Sequence, residues 1–134
     1  AEHFTFQAST NGGSSYGVTL TSTYFHATHD EGDTSTALAY VAGKDLAQST
    51  SFLRLADSLS TNADESTSGV LHLFNPSDTT FVKNFMSRTS VSATGAKDGF
   101  VGGYFNTTTA INAIQFKMSS GNIDSGTIIM YGVS

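Results

Sequence analysis

The chain has 134 residues, no cysteine and a formal net charge of −5. This length suits one domain with one core, and the lack of cysteine excludes disulfides and thiol chemistry. The six lysines and arginines are scattered, so no basic patch suited to nucleic-acid binding exists. The sequence contains no run of about 18 apolar residues, so it predicts no membrane-spanning helix. Only 13% of the residues are charged, about half the usual share, and 19 serines and 19 threonines supply polarity instead.

Residues 2–8 alternate apolar and polar side chains, which predicts a first β-strand. Its core-facing side chains would be Phe4, Phe6 and Ala8, and its outward side chains would be His3, Thr5 and Gln7. Glu2 is the only charge there, and no lysine or proline guards the strand against pairing with another chain. We therefore predict a sheet edge that contacts a neighbouring subunit through His3, Thr5 and Gln7.

The next part of the chain predicts further strands, with one segment open to two interpretations. An Asn-Gly-Gly turn at 11–13 precedes a Thr-rich strand, in which a change of apolar parity near 22–24 predicts a bulge or a break. Residues 36–42 predict another strand. Residues 45–59 fit a short helical face or a strand around 52–55, and we favour the strand because the rest of the chain is β.

The second half predicts two hairpins. Residues 70–74 and 80–90 flank a turn at 75–78 that holds the only proline. After a Ser/Gly loop at 91–98, a strand at 100–105 contains Gly102 and Gly103, where a bend or a close backbone approach is expected. The chain would close with a strand ending near 118, a turn at 119–122 and a strand at 127–131. This last strand is apolar on both faces, which is typical of a central strand.

Together these patterns predict an all-β fold. The chain carries eight or nine short predicted strands, separated by turn residues, and no internal repeat. Such a pattern is typical of a single antiparallel β-sandwich of the jelly-roll type, here spanning residues 1–134.

Residues 26–33 contain the densest group of possible metal ligands. These are His26, His29, Asp30, Glu31 and Asp33. Loop carboxylates are suitable Ca²⁺ ligands, but the pattern is not that of an EF-hand loop. The two histidines, three residues apart, would also point to opposite faces of a strand. We therefore favour a solvated acidic loop, and we predict no metal and no cofactor.

The sequence holds no recognisable catalytic signature. A nucleophile elbow, a P-loop and a dinucleotide fingerprint are all missing. The neighbouring carboxylates at 30–31 and 64–65 lie in predicted loops, where charges are normally solvated. His72 shares a strand face with Val70 and Phe74, which predicts a packed histidine. We therefore predict a protein that is not an enzyme, unless folding brings His26, His72 and an acid within hydrogen-bond reach.

The end of the chain resembles a signature of known proteins. Residues 111–132 resemble the C terminus of virion structural modules of tailed bacteriophages, especially phages of aquatic bacteria. Their sequence is INAIQFKMSSGNIDSGTI, followed by one residue and MYG. Three further segments resemble other parts of these modules. The early strand and turn correspond to FTFQASTNGGSSY at 4–16, and the middle hairpin corresponds to SGVLHLFNPSDTTFVKNF at 68–85. The lead into the closing hairpin corresponds to GGYFNTTTAINAIQF at 102–116. Residues 34–67 match least. Members of this group often carry another apolar strand before the one that begins this chain.

The resemblance implies a structural protein on the surface of the phage particle. Its partners would be other virion proteins of the capsid or tail, within a homo-oligomer, and it would bind neither nucleic acid nor membrane. Capsid decoration, which stabilises the shell through protein–protein contacts, is favoured over a tail-fibre or tail-associated adhesin module that binds host carbohydrate.

Aromatic and aliphatic side chains suggest where partners could bind. Ten phenylalanines and five tyrosines exceed what one sandwich core absorbs, so some are expected at a subunit contact. On the last predicted strand the outward side chains are Ile129, Tyr131 and Val133. In the carbohydrate-binding alternative, the stacking platform for sugars would be Tyr16, Tyr24 and Tyr104.

Overall fold

A computed structural model describes residues 1–134 and contains eight β-strands and no helix. The strands are β1 (Glu2–Ser9), β2 (Leu20–Asp30), β3 (Thr36–Tyr40), β4 (Leu53–Leu59), β5 (Ser66–Leu73), β6 (Lys83–Ser92), β7 (Gly95–Phe105) and β8 (Ala113–Met118). They form a three-stranded sheet in the order β4-β1-β8 and a five-stranded sheet in the order β3-β2-β7-β6-β5. Every pairing is antiparallel. Nothing in the chain forms a helix long and apolar enough to cross a lipid bilayer.

The predicted antiparallel β-sandwich is confirmed. The two sheets pack face to face. β1 pairs with β8 and β2 pairs with β7, as in a jelly roll, whereas β5, β6 and β7 follow one another as a meander. The strand favoured in the ambiguous segment 45–59 is present as β4. The predicted hairpin is formed by β5 and β6, which pair from Ser66–Ser92 to Leu73–Phe85.

Aromatic rings fill the core between the two sheets. Phe6 of β1 makes edge contacts with Phe85 of β6 and Phe105 of β7, with ring centroids 5.3 and 5.8 Å apart. All three residues are fully buried. Strand alternation places them there, since β6 buries every second residue from Lys83 to Val91. Each such aromatic pair adds about 0.5–1.5 kcal/mol to the free energy gained from burial alone.

The prediction that β1 is a sheet edge is wrong. β1 pairs with β4 on one side and with β8 on the other, so both of its edges are occupied within the chain. Thr5 and Gln7 are buried on the face predicted to be outward. His3 is half-buried. Thr5 and Gln7 are therefore closed to a partner, and the sheet edge on which the sequence placed the subunit contact does not exist.

Loops that fold over the small sheet explain this burial. The Gln7 side-chain amide donates hydrogen bonds to the carbonyl oxygens of Val18, Thr50 and Ser51, at 3.2, 3.1 and 3.0 Å. The Thr5 hydroxyl donates to the Lys117 carbonyl oxygen at 2.8 Å. Both polar side chains are satisfied without water, as buried polar groups must be.

Two further predictions about strand boundaries are wrong. β2 runs without a bulge or a break, in constant register with β7 from Leu20–Phe105 to Asp30–Gly95. One of its inward positions is occupied by a buried serine, Ser22. The inward residues therefore do not form a regular apolar pattern in the sequence. Residues 91–98 are not a loop, because β6 and β7 extend through them to a tight turn at 93–94.

The predicted closing hairpin is only half present. Its first strand is β8, but residues 127–131 form no strand and are exposed. Ile129, Met130 and Tyr131 are 63%, 76% and 79% exposed. The prediction of a central strand at 127–131 is therefore wrong for the isolated chain.

The expected close approach at the paired glycines is confirmed for Gly103. A Cβ atom there would lie 2.5 Å from the Thr21 carbonyl oxygen and 2.7 Å from the Phe85 ring. At Gly102 the nearest atom would be the Thr23 hydroxyl oxygen at 3.6 Å, an ordinary contact.

We expect Gly103→Ala to lower the free energy of unfolding by about 1–3 kcal/mol, because the added methyl overpacks the core. The matched control, Gly102→Ala, should change it by less than about 0.5 kcal/mol. Urea denaturation followed by tyrosine fluorescence measures both. Equal unfolding midpoints for the two variants would show that the approach at Gly103 does not constrain the packing.

Candidate functional site

The acidic segment predicted as a loop is the turn between β2 and β3. Asp30 Oδ1 accepts hydrogen bonds from the backbone amides of Thr34 and Ser35, at 2.9 and 2.7 Å. A hydrogen bond from the Thr34 hydroxyl, followed by these amides, holds the Asp30 pKa below its usual value. Asp33 lies 3.0 Å from His29 Nε2, while Glu31 is exposed.

The five possible metal ligands do not converge. His26 lies on the inner face of the large sheet, where its ring contacts Tyr24 edge-on at 6.0 Å. No group of three or more His, Cys, Asp and Glu side chains is arranged to hold a metal ion. The carboxylates instead shape the turn.

The two histidines that a hydrolytic site would need are far apart. His26 is on β2 and His72 is on β5, and β7 and β6 separate these strands. The prediction of a packed His72 is wrong, because this residue is exposed. Its ring stacks on Phe74, with ring centroids 6.2 Å apart. Nδ1 of His26 is buried without a hydrogen-bond partner.

Sequence reasoning missed a buried ionic cluster around Asp57. This carboxylate is 4% exposed and lies between the sheets. Lys97 donates to Asp57 Oδ1 at 3.0 Å and to the Ser58 hydroxyl at 3.1 Å. Lys44 forms an ion pair with the other oxygen, Oδ2. Both carboxylate oxygens therefore have a cationic partner.

Irregular pairing between β1 and β4 turns Asp57 inward. The register of these strands shifts twice, between Glu2 and Phe4 and between Phe4 and Thr5. As a result three consecutive residues, 55–57, are buried. Ser58 adopts a positive φ of 64°, which is uncommon outside glycine. Bulges of this kind re-aim side chains, and no period of the sequence signals them.

The charges of the cluster act on the ionisable groups around it. Burial acts to raise the Asp57 pKa, but the hydrogen bonds and charges of Lys44 and Lys97 outweigh it, so the pKa is lowered. Burial raises the pKa of Tyr24 to about 12. The Lys44 ammonium lies 5.1 Å from the Tyr24 ring centroid, a favourable cation–π distance.

The two histidines near the cluster, His3 and His26, both have a lowered pKa. Burial lowers the pKa of His26, and the charges of Lys44 and Lys97 lower it further, against the opposite effect of Asp57. Burial also lowers the pKa of His3, with help from the charges of Arg54 and Lys44, while Asp57 and Glu2 oppose this.

The cluster joins parts of the chain rather than offering a reactive group. Lys44 lies in the connection after β3, Asp57 in β4 and Lys97 in β7, so the three side chains tie this connection and both sheets together. A carboxylate with both oxygens paired to ammonium groups is a poor proton acceptor.

A second feature is a row of side chains across the outer face of the large sheet. In successive strands the directly opposed residues are Tyr40, Phe25, Phe100, Arg88 and Val70. Tyr40 and Val70 are each 57% exposed. We call these five residues the outer row.

The centre of the outer row is a closed stack. The rings of Phe25 and Phe100 are parallel, with centroids 4.7 Å apart. The Arg88 guanidinium lies 4.8 Å from the Phe100 ring, and Asp98 holds it with two hydrogen bonds of 3.0 and 2.7 Å. Since β2 and β6 flank β7, both faces of Phe100 are covered.

The three tyrosines of the carbohydrate-binding alternative do not form a platform. Tyr24 is 1% exposed in the core, so its assignment to a surface platform is wrong. Tyr104 is half-buried, and its hydroxyl accepts a hydrogen bond from Gln48 at 3.2 Å. Tyr16 is half-buried in the connection between β1 and β2.

A third feature is the segment 119–134 at the end of the chain, every residue of which is exposed. It carries six exposed large apolar side chains. These are Ile123, Ile128, Ile129, Met130, Tyr131 and Val133. The predicted contact residues Ile129, Tyr131 and Val133 are therefore open to a partner.

The strand just before this segment has a free edge. β8 pairs only with β1 and ends the small sheet. Ile114, Phe116 and Met118 alternate along it and pack against the core, yet each remains half-buried. An open strand edge beside exposed apolar side chains is a surface suited to pairing with another chain.

Comparison with known proteins adds no relative. The chain matches no protein-family model, no curated protein and no solved structure.

We expect Asp57→Asn to lower the free energy of unfolding by about 2–4 kcal/mol, because it leaves two largely buried ammonium groups without a counter-charge. The matched control is Asp98→Asn in the exposed Arg88–Asp98 pair, which should cost less than about 1 kcal/mol. Urea denaturation at neutral pH compares them. A smaller loss for Asp57→Asn than for Asp98→Asn would contradict a stabilising role of the cluster.

Because of His3 and His26, we expect the free energy of unfolding to fall in mild acid. Their folded pKa values lie below the ordinary 6.5, so the unfolded chain binds more protons as the pH falls below 6.5. Stability should be constant above this pH and fall as the pH drops towards the folded pKa values. Urea midpoints measured from about pH 8 to about pH 5 test this before most carboxylates titrate.

The double variant His3→Gln, His26→Gln identifies the responsible groups. It should show a shallower fall in urea midpoint over this range. His72→Gln, on the remote strand β5, should keep the fall of the unmodified chain. An unchanged fall in the double variant would assign the pH dependence to other groups.

Proposed function

We propose that the chain is a non-enzymatic structural protein of a tailed-phage particle, which decorates the capsid and stabilises the shell through protein–protein contacts. The observation that carries the proposal is the exposed apolar segment 123–133. It lies within the stretch that resembles the C-terminal signature of phage virion modules. Full burial of one such side chain contributes about 1.5–3 kcal/mol of hydrophobic free energy. The isolated chain lacks this contribution, and burial against another subunit would provide it.

The surface composition also supports a role in an assembly. Only 13% of the residues are charged, so few like charges would repel a neighbouring subunit. Serine and threonine hydroxyls can donate and accept hydrogen bonds across a contact. The outer row adds exposed apolar area at Tyr40 and Val70 on a second face of the molecule.

The alternative is a tail-fibre or tail-associated adhesin module that binds host carbohydrate. Sugar rings stack on open aromatic faces. Here the Phe100 ring is covered by Phe25 and Arg88, and Tyr24 is buried. These observations remove two of the rings on which a sugar could stack. The exposed rings of Tyr40, Phe74 and Phe81 leave sugar binding to the glycan-array test below.

Electron microscopy of labelled particles tests the proposal. Antibodies raised against the purified chain should label the heads of washed particles of the phage that encodes it, because a decoration protein covers the shell. Label confined to tails, together with binding on a glycan array, would support the adhesin alternative instead. Particles that carry neither label nor the chain by mass spectrometry would overturn both.

A further inference from the structure

We infer that segment 123–133 donates a β-strand to a second copy of the chain and pairs there with the free edge of β8. This inference rests on the proposed role in an assembly and names the partner of the exposed segment.

The donor has the composition of a buried strand. Residues 127–131, Thr-Ile-Ile-Met-Tyr, are β-branched or large and apolar on both parities, a pattern typical of a strand covered on both faces. In the chain by itself these residues are exposed, and residues 120–134 form no hydrogen bond with the rest of the molecule. Sequence pattern and environment therefore disagree, and a partner strand would reconcile them.

The acceptor is a regular and unprotected edge. β4, the other edge of the small sheet, has two register shifts and a positive φ at Ser58, and such irregularities discourage further pairing. The large sheet ends at β3, which has only five residues, and at β5. The first half of β5 is Ser-Thr-Ser-Gly, and a glycine in a strand interior weakens it. β8 is regular, and its core-facing Ile114, Phe116 and Met118 are still half-buried. A strand added beside β8 would complete their burial.

The connection directs the donor away from its own edge. Ser119 is fixed to the start of β1, since its amide donates to the His3 carbonyl oxygen at 2.8 Å. Beyond it the chain passes Gly121 and Gly126, which both have positive φ, and does not fold back on β8. Reciprocal exchange between two copies would satisfy both donors and both acceptors, as in a domain-swapped dimer.

The area involved is enough for a stable dimer. At about 60–120 Å² for each fully buried aliphatic side chain, the six apolar side chains of one donor remove roughly 400–700 Å² from water. Two exchanged donors, together with the surface that they cover, would bury a total area of about 1,200–2,000 Å². This is the size of a standard protein–protein interface.

Engineered cysteines test the pairing, because the natural chain has none. Ile129→Cys is mixed with single variants along the acceptor edge, Ala113→Cys, Gln115→Cys or Lys117→Cys, and oxidised. At least one mixture should form a covalent heterodimer about tenfold faster than a mixture with the exposed control Ser68→Cys on β5. Non-reducing electrophoresis and mass spectrometry measure the product.

The outcomes separate the possible partners. Faster cross-linking to Ser68→Cys than to the β8 positions would overturn the inference in favour of the large-sheet edge. A double variant, Gln115→Cys with Ile129→Cys, that closes only within one chain would overturn it in favour of an intramolecular hairpin. No cross-link above the control at any β8 position would also overturn it.

Light scattering across a concentration series separates this inference from the proposed function. The unmodified chain should be a dimer or a larger closed oligomer. Ile129→Asp should raise the dissociation constant at least about tenfold, because it places a charge in an apolar strand. The control Ser120→Asp, in the exposed connection before the donated segment, should leave the constant unchanged. An oligomer unaffected by Ile129→Asp would overturn strand donation and leave the decoration role to the labelling experiment. A chain that stays monomeric at high concentration would overturn strand donation as well.

Discussion

The central position of β1 is the constraint on which the rest of the sandwich depends. This strand joins β4 and β8, which come from the middle and the end of the chain, into one sheet. Its inner face supplies Phe6, the ring that contacts both Phe85 and Phe105 across the core. Its other face supplies Gln7, which fixes two loops through three hydrogen bonds. Loss of β1 would therefore remove the core contact, the loop anchors and the pairing of β8 together.

One ionic cluster lies inside this frame. Three of the chain's few charged side chains, Lys44, Asp57 and Lys97, meet between the sheets. A buried ion pair is weak evidence for stability, because desolvation offsets much of the attraction. Breaking it is costly nevertheless, and here it joins the connection after β3 to both sheets. The cluster thus fixes how the connection crosses from the large sheet to the small one.

Local alternation was enough to predict most of the fold. The β5–β6 hairpin was predictable because its turn holds Pro76 and β6 alternates without interruption. The edge position assigned to β1 failed because an edge is defined by other strands, and β4 and β8 lie far away in sequence. The burial of Asp57 was not predicted, because bulges interrupt the alternation of inward and outward residues in β4. Its lysine partners also come from distant segments of the chain. Tyr24 was placed at the surface for a similar reason, since Ser22 on the same face disguised its inward parity.

The C-terminal segment is a different kind of failure. Residues 127–131 carry the pattern of a central strand, yet the isolated chain leaves them unpaired. In β5 and β6 local pattern and tertiary structure agree, as expected for a sequence that specifies one fold. A local conflict of this kind marks a position where something other than monomer stability determines the sequence. In the strand exchange that we propose, the free edge of β8, along which Phe116 is half-buried, would supply the missing environment in a second copy. The mispredicted strand is therefore the strongest argument in the chain for assembly.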